Sequence, residues 1–249
     1  MFADVQINRY IIPGWEKLTP QQRMLTYYLV QAGLEGRDIM YDMNYRHNLE
    51  IRKALEDIYR KYDGDRAAQE WLSLETYLKR IWFSSGIHHH YSMNKFAPDF
   101  SQEYLEQVME ETGTSLSQEA LQAIFDPEKD PKKVNLDPES DLVLTSAVNF
   151  YEPDITQTEV EAYFESIIDK EDETPVSYGL NSKIVRLEDG SLGEQVYKVG
   201  GLYGPAIGKM AEWLKKAVTV AENQAQADAL KLLIEYYQTG DLEKWDEYN

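Results

Sequence analysis

Apolar residues recur at helical spacing through most of this chain, and only one stretch alternates as a pair of strands should. That imbalance limits the fold to a mainly helical architecture with a small sheet. "LTPQQRMLTYYLVQAGL" opens with a complete helix start: Thr19 at the cap, Pro20 at the first helical position and Gln22 closing a capping box. Leu25, Tyr28, Leu29 and Ala32 then predict one buried stripe. "YRHNLEIRKALEDIYRKY" sets Leu49, Ala54, Leu55, Ile58 and Tyr62 on a second helix, and "RAAQEWLSLETYLKRIWFSSG" repeats the pattern as far as Gly86. Ser101 is placed to cap a further helix. The clearest strand pair is "SKIVRL" and "EQVYKVG", where the Asp189-Gly190 step suits a tight hairpin turn. "LVLTSAVNFYEP" is strand-like in composition.

The chain therefore reads as α+β, with residues 1–125 mainly helical, 142–200 carrying strands and one helix, and 201–249 helical again. Residues 126–141, "DPEKDPKKVNLDPESD", hold three Asp-Pro steps and no apolar period, which predicts an exposed connection. At 249 residues and 43% hydrophobic content the chain is long enough to bury a sizeable core. Forty-four acidic against 25 basic residues give a net charge of −19, which repels phosphate backbones and anionic lipid. Nucleic acid and membrane surface are excluded as expected partners. With no cysteine there is no disulfide and no thiolate site. No apolar run approaches the roughly 20 residues that cross a bilayer, so a soluble protein is expected, in a cytoplasmic or periplasmic compartment that composition leaves open. Both ends read as the interior of a longer chain, so a fragment is expected.

The familiar catalytic motifs are missing. No histidine is followed by glutamate as a zincin helix requires, since His47 precedes Asn48 and the others precede His89, His90 and Tyr91. "DGSLG" is one residue short of a serine-hydrolase elbow, and "GPAIGKM" is one short of a phosphate loop. The acidic run "DKEDE", residues 169–173, lacks the spaced ligands of a calcium loop. What stands out is "SSGIHHHYSMNKF", residues 84–96, with His88, His89 and His90 in a row. Three consecutive side chains fan apart on a helix and alternate on a strand, so one ion cannot collect all three. In an extended segment His88 and His90 share a face about 6.6 Å apart, and zinc binding there requires a third ligand from elsewhere.

Taken together, "LTPQQRMLTYYLVQAGLEGRDIM", "SSGIHHHYSMNKFAP", "NFYEPDITQTEVEAYF", "YGLNSKIVRLEDG", "EQVYKVGGLYGPAIGKMAEWLKKA" and "IEYYQTGDLEKWDEYN" resemble, in order and spacing, the dipeptidyl peptidase III family, its bacterial members above all. The family comprises zinc exopeptidases that release dipeptides from peptide N-termini. The resemblance implies two lobes. One carries zinc on a His-Glu-x-x-Gly-His helix, and the other is a helical lobe with a small antiparallel β-barrel. It identifies residues 1–249 as the N-terminal part of the non-zinc lobe, with an incomplete barrel. It implies no catalytic residue, no metal ligand and no cofactor in this chain, the zinc belonging to the parent enzyme. The expected partners are the peptide substrate and the zinc-bearing lobe of the same chain. The family's cleft-facing aromatic falls at Tyr91, where a peptide contact and a packed core tyrosine are the two readings, and His90 and Asn94 are further candidate substrate contacts by their proximity to it. A family asparagine falls at Asn181, where a turn role and a substrate contact are the two readings. On this basis the chain is a cleft wall, inactive alone. The alternative is a non-catalytic peptide-binding or protein-interaction module of the same fold.

Overall fold

The computed structural model describes residues 1–249, which form two compact units. Unit 1 comprises residues 1–8 and 40–149, and unit 2 comprises residues 9–39 and 150–249. Ten α-helices carry about half of the chain: α1 (Pro20–Glu35), α2 (Arg37–Asn44), α3 (Asn48–Lys61), α4 (Gln69–Ser84), α5 (Gln102–Thr112), α6 (Gln118–Phe125), α7 (Gln157–Ile167), α8 (Gly204–Val218), α9 (Gln224–Thr239) and α10 (Leu242–Tyr248). The strands are β1 (Ser182–Arg186) and β2 (Leu192–Val196). No helix is long and apolar enough to cross a membrane.

Unit 1 is built where the helical period is cleanest. Ile51, Leu55 and Ile58 of α3 and Trp71, Leu74, Leu78 and Ile81 of α4 repeat every three or four residues, and all are buried. α5 packs on α3, and Leu105 and Val108 join the same core. Trp71 anchors one end, stacked 4.4 Å from the ring of Tyr62. Ser101 caps α5 as its position predicts, its hydroxyl accepting from the Tyr104 N–H at 3.1 Å. The short helix α6 begins the same way, with Ser117 accepting from the Ala120 N–H at 3.2 Å.

In unit 2, α1 packs on α8, α8 on α9 and α9 on α10. The capping box is present in full: the Thr19 hydroxyl accepts from the Gln22 N–H, and the Gln22 side chain accepts from the Thr19 N–H at 2.9 Å. Leu25 and Ala32 are buried with Leu214, Ala217, Leu230 and Ile234. Leu29 departs from the expected stripe and is 40% exposed. It lies roughly 70° round the helix from the middle of the Leu25, Tyr28 and Ala32 face.

Of the barrel-like sheet implied by the resemblance, the chain holds one two-stranded antiparallel sheet that does not close. Its register pairs Ser182 with Val196 and Arg186 with Leu192. The hairpin loop is one residue longer than a two-residue turn: the Leu187 N–H donates to Ser191 C=O at 2.8 Å, and Gly190 supplies the left-handed residue at φ 86°. The strand-like segment 142–153 is not a strand. The Asp141 carboxylate accepts from the N–H groups of Val143 (3.0 Å) and Leu144 (2.9 Å) and winds the chain into a turn, so a local side-chain bond overrides composition. The segment meets the sheet in one parallel bridge, Tyr151 to Ile184, made by the Phe150 C=O and the Glu152 N–H.

Candidate functional site

Residues 84–96 leave the end of α4 and fold back on themselves. Ser85 turns the chain in the left-handed region (φ 53°), and Gly86 follows at φ 147°. A side chain at Gly86 has no room, since a Cβ would lie 2.1 Å from Nδ2 of Asn48. Asn48 is 1% exposed and holds the base of the loop from α3. Its Nδ2 donates to Tyr41 C=O and its Oδ1 accepts from the Ile87 N–H, both at 3.0 Å.

The Phe96 N–H then donates to Ile87 C=O, and the His89 N–H to Asn94 C=O, each at 2.8 Å. Between them the turn is capped by a ring: Nδ1 of His89 accepts from the N–H groups of Tyr91 and Ser92 at 3.1 Å each. Tyr91 stands at the tip, 83% exposed. It is no packed core tyrosine.

A second segment, 126–133, clamps this loop. Lys95 N–H donates to Pro131 C=O at 3.0 Å, and Lys133 N–H to Met93 C=O at 2.8 Å. The Lys95 ammonium donates to Asp126 C=O at 2.5 Å and also to Lys129 C=O. His88 is 1% exposed, donates from Nε2 to Asp130 C=O at 2.8 Å and sits edge-on to Tyr45 at 5.3 Å. Burial disfavours its charged form and lowers its pKa to about 4. The Asp130 carboxylate accepts from the Tyr45 hydroxyl at 2.6 Å and from Arg46 at 3.3 Å. Met93 (φ 62°) and Asp130 (φ 48°), one on each clamped segment, are non-glycine residues in the left-handed region. Such residues cost about 1 kcal/mol or more each and persist where surrounding bonds over-determine them.

The structure brings three of the four sequence-predicted site residues onto one loop. His90 is half-buried, stacked on His89 at 4.5 Å and edge-on to Phe83 at 5.0 Å. Asn94 is exposed, beyond the turn from Tyr91. Asn181 belongs to unit 2 and is 5% exposed; its Nδ2 donates to Gly240 C=O at 2.9 Å, and its own C=O accepts from the Tyr197 N–H at 2.7 Å. Its side chain therefore ties the start of β1 to the end of α9.

The histidine run does not form a metal centre. No group of three or more His, Cys, Asp or Glu side chains is placed to hold an ion. His88 faces inward with one ring nitrogen committed to a carbonyl, while His90 packs on Phe83. The residues present do not fit zinc. What the loop offers is an exposed phenol, an imidazole and a carboxamide on a firmly bonded base, a set suited to binding a polar chain with aromatic character. Sequence reasoning missed Asn48, Lys95 and Asp130, which hold the loop. Asn48 and Asp130 act from 39 and 42 residues away from their partners Ile87 and His88.

No family model matches the chain, and neither does any curated protein. Solved structures do. DPP III from Caldithrix abyssi superposes with a TM-score of 0.57 over 94% of this chain and 34% of its own, at 21% identity. Dipeptidyl-peptidase III from Corallococcus sp. strain EGB gives 0.59 over 99% of this chain and 35% of its own, at 15% identity. The chain thus has the fold of part of these bacterial structures and spans about a third of their length.

Proposed function

We propose that this chain is the cleft-forming, non-zinc lobe of a dipeptidyl peptidase III-like enzyme that releases dipeptides from peptide N-termini. The observation that carries the reading is the fold likeness, which runs through 94–99% of the chain with structures bearing that name. In this reading Tyr91 lays its ring and hydroxyl against the bound peptide, with His90 and Asn94 beside it, and Asn181 is a structural tie. The zinc and the groups that activate water belong to the other lobe.

The sheet supports an incomplete barrel. Pairing alternates along an antiparallel ladder, so the bond from Tyr197 to Asn181 at one end and from Leu187 to Ser191 at the other turn Leu192 and Glu194 outward. The outer edge of β1 is already used: Ile184 bonds Phe150 and Glu152, and the Arg186 N–H reaches the Glu152 carboxylate. On β2 the Val196 C=O already accepts from the Leu202 N–H at 3.0 Å, so the edge left for a further strand is the Leu192–Glu194 part, and in this reading that strand comes from the rest of the parent chain.

The test is product analysis on the protein encoded by the complete reading frame that contains this chain. A pentapeptide with a free N-terminus should yield its first two residues as a dipeptide, and a chelator should abolish release until zinc is restored. Release of single amino acids, or no release with zinc present, would refute the assignment and favour the non-catalytic module.

A further inference from the structure

We infer that Lys95 is a positioning residue for Tyr91: its ammonium, seated on the carbonyl oxygens of Asp126 and Lys129, is the cation that locks the 87–96 loop in its peptide-facing shape. The inference rests on the reading of Tyr91 as a peptide contact. An ordinary surface lysine leaves its charge in water. Lys95 instead spends it on two main-chain oxygens of a single turn, at 2.5 Å in the case of Asp126. That turn follows α6 directly, with Asp126 as its C-cap residue, so the ammonium sits at the negative end of a helix.

The Asp126 C=O also accepts from the Lys129 N–H at 3.2 Å, which makes the turn a small carbonyl cradle closed around the ammonium. The lysine's own backbone continues the clamp through Pro131 C=O, and its neighbour Asn94 bridges Lys132. Met93 and Asp130 hold left-handed conformations on either side of this junction. Without the ammonium, the Asp126 C=O keeps only its bond from the Lys129 N–H and the Lys129 C=O loses its bond from Lys95, so the junction around the strained pair is left with its main-chain bonds alone. Three residues lie between Tyr91 and Lys95, and the bonds from the His89 N–H to Asn94 C=O and from the Tyr91 N–H to His89 Nδ1 join them.

The chain has no cysteine, so Tyr91→Cys provides one site for a nitroxide label in the 249-residue protein. At a tip that is 83% exposed the label turns about its own bonds, so the line width reads backbone motion, and with Lys95 intact the lines should be broader than in Lys95→Met, which is similar in length and uncharged. In Lys95→Ala, added ethylammonium should restore the broader lines where the same concentration of sodium does not. In the complete enzyme, Lys95→Met should raise KM for dipeptide release roughly tenfold with kcat little changed, as loss of a uniform binding contact does. A lysine that only supports the fold would lower the melting temperature while leaving the label spectrum and KM unmoved, and that result would overturn the inference. Equal rescue by sodium would overturn it as well. A mobile loop in Lys95→Met together with an unchanged KM in Tyr91→Ala would overturn the peptide-contact reading on which the inference rests, while leaving the cradle itself standing.

Discussion

Asn48 and Gly86 are predicted to act as one unit, and a double-mutant cycle measures it. Asn48→Ala leaves the buried Ile87 N–H without its 3.0 Å acceptor, which costs about 1–3 kcal/mol. The bond to Tyr41 C=O contributes about 1 kcal/mol more, less than a unique bond would, because that carbonyl also accepts from the Tyr45 N–H. The expected loss is about 3 kcal/mol. Gly86→Ala forces a Cβ to within 2.1 Å of Asn48 Nδ2, so Asn48 must leave its bonds and the same loss follows. The φ of 147° adds about 1–3 kcal/mol of backbone strain. Because both changes destroy the same bonds, the double variant should cost about as much as Gly86→Ala alone, a coupling on the order of 3 kcal/mol. Native-state hydrogen exchange at the slow amides of α3 and α4 reads the opening of unit 1 for all four proteins. Additive losses would refute the reasoning, since they would mean that the two residues do not share the contact.

Three further outcomes follow from the packing and the charges. Trp71→Ala removes a 2% exposed ring stacked on Tyr62 and should cost about 3–5 kcal/mol in urea unfolding. His88 is held neutral in the fold with its pKa lowered to about 4, so the unfolded chain binds the extra proton first as pH falls. Its stability contribution is complete above pH 6.5 and is lost between there and about pH 4, on the order of 3 kcal/mol; His88→Gln, which does not titrate, should flatten that part of the urea-midpoint profile. Asp154 is held below the usual carboxylate range by its 2.8 Å bond to Arg186, and Glu159 is held down by its cap bonds to Thr156 and then by Arg186. Both contribute above the unfolded carboxylate pKa and lose their contribution as pH falls through the lower folded value, so Arg186→Ala should weaken the acid dependence of hairpin amide exchange.

The helices were legible because their signals are local. Thr19, Pro20 and Gln22 of α1, and Ser101 of α5, set their caps through bonds spanning three residues, and the sequence window contains every participant. The hairpin was legible for the same reason, although Gly190 serves a three-residue loop where a tighter turn was expected. Segment 142–153 was misread because its β-branched residues compete with one carboxylate, Asp141, whose two bonds to the following N–H groups decide the local geometry. The exposure of Tyr91 could not be read from "HHHYSM", where histidine and tyrosine suit a core or a surface equally. It depends on His88 turning inward to a carbonyl 42 residues away and on Lys95 reaching Asp126 and Lys129. The histidines that attract notice in the sequence divide their work: His88 packs, His89 caps the turn, and His90 stacks beside the tip.

The most direct test of the account is the kinetic effect of Tyr91→Ala in the complete enzyme. Tyr91 is 83% exposed, so its removal should leave the melting temperature unchanged. If its ring lies against the peptide, KM for dipeptide release should rise roughly tenfold, the equivalent of about 1.4 kcal/mol of lost contact, with kcat preserved. A KM equal to that of the unmodified enzyme would contradict the placement of this loop in the substrate cleft.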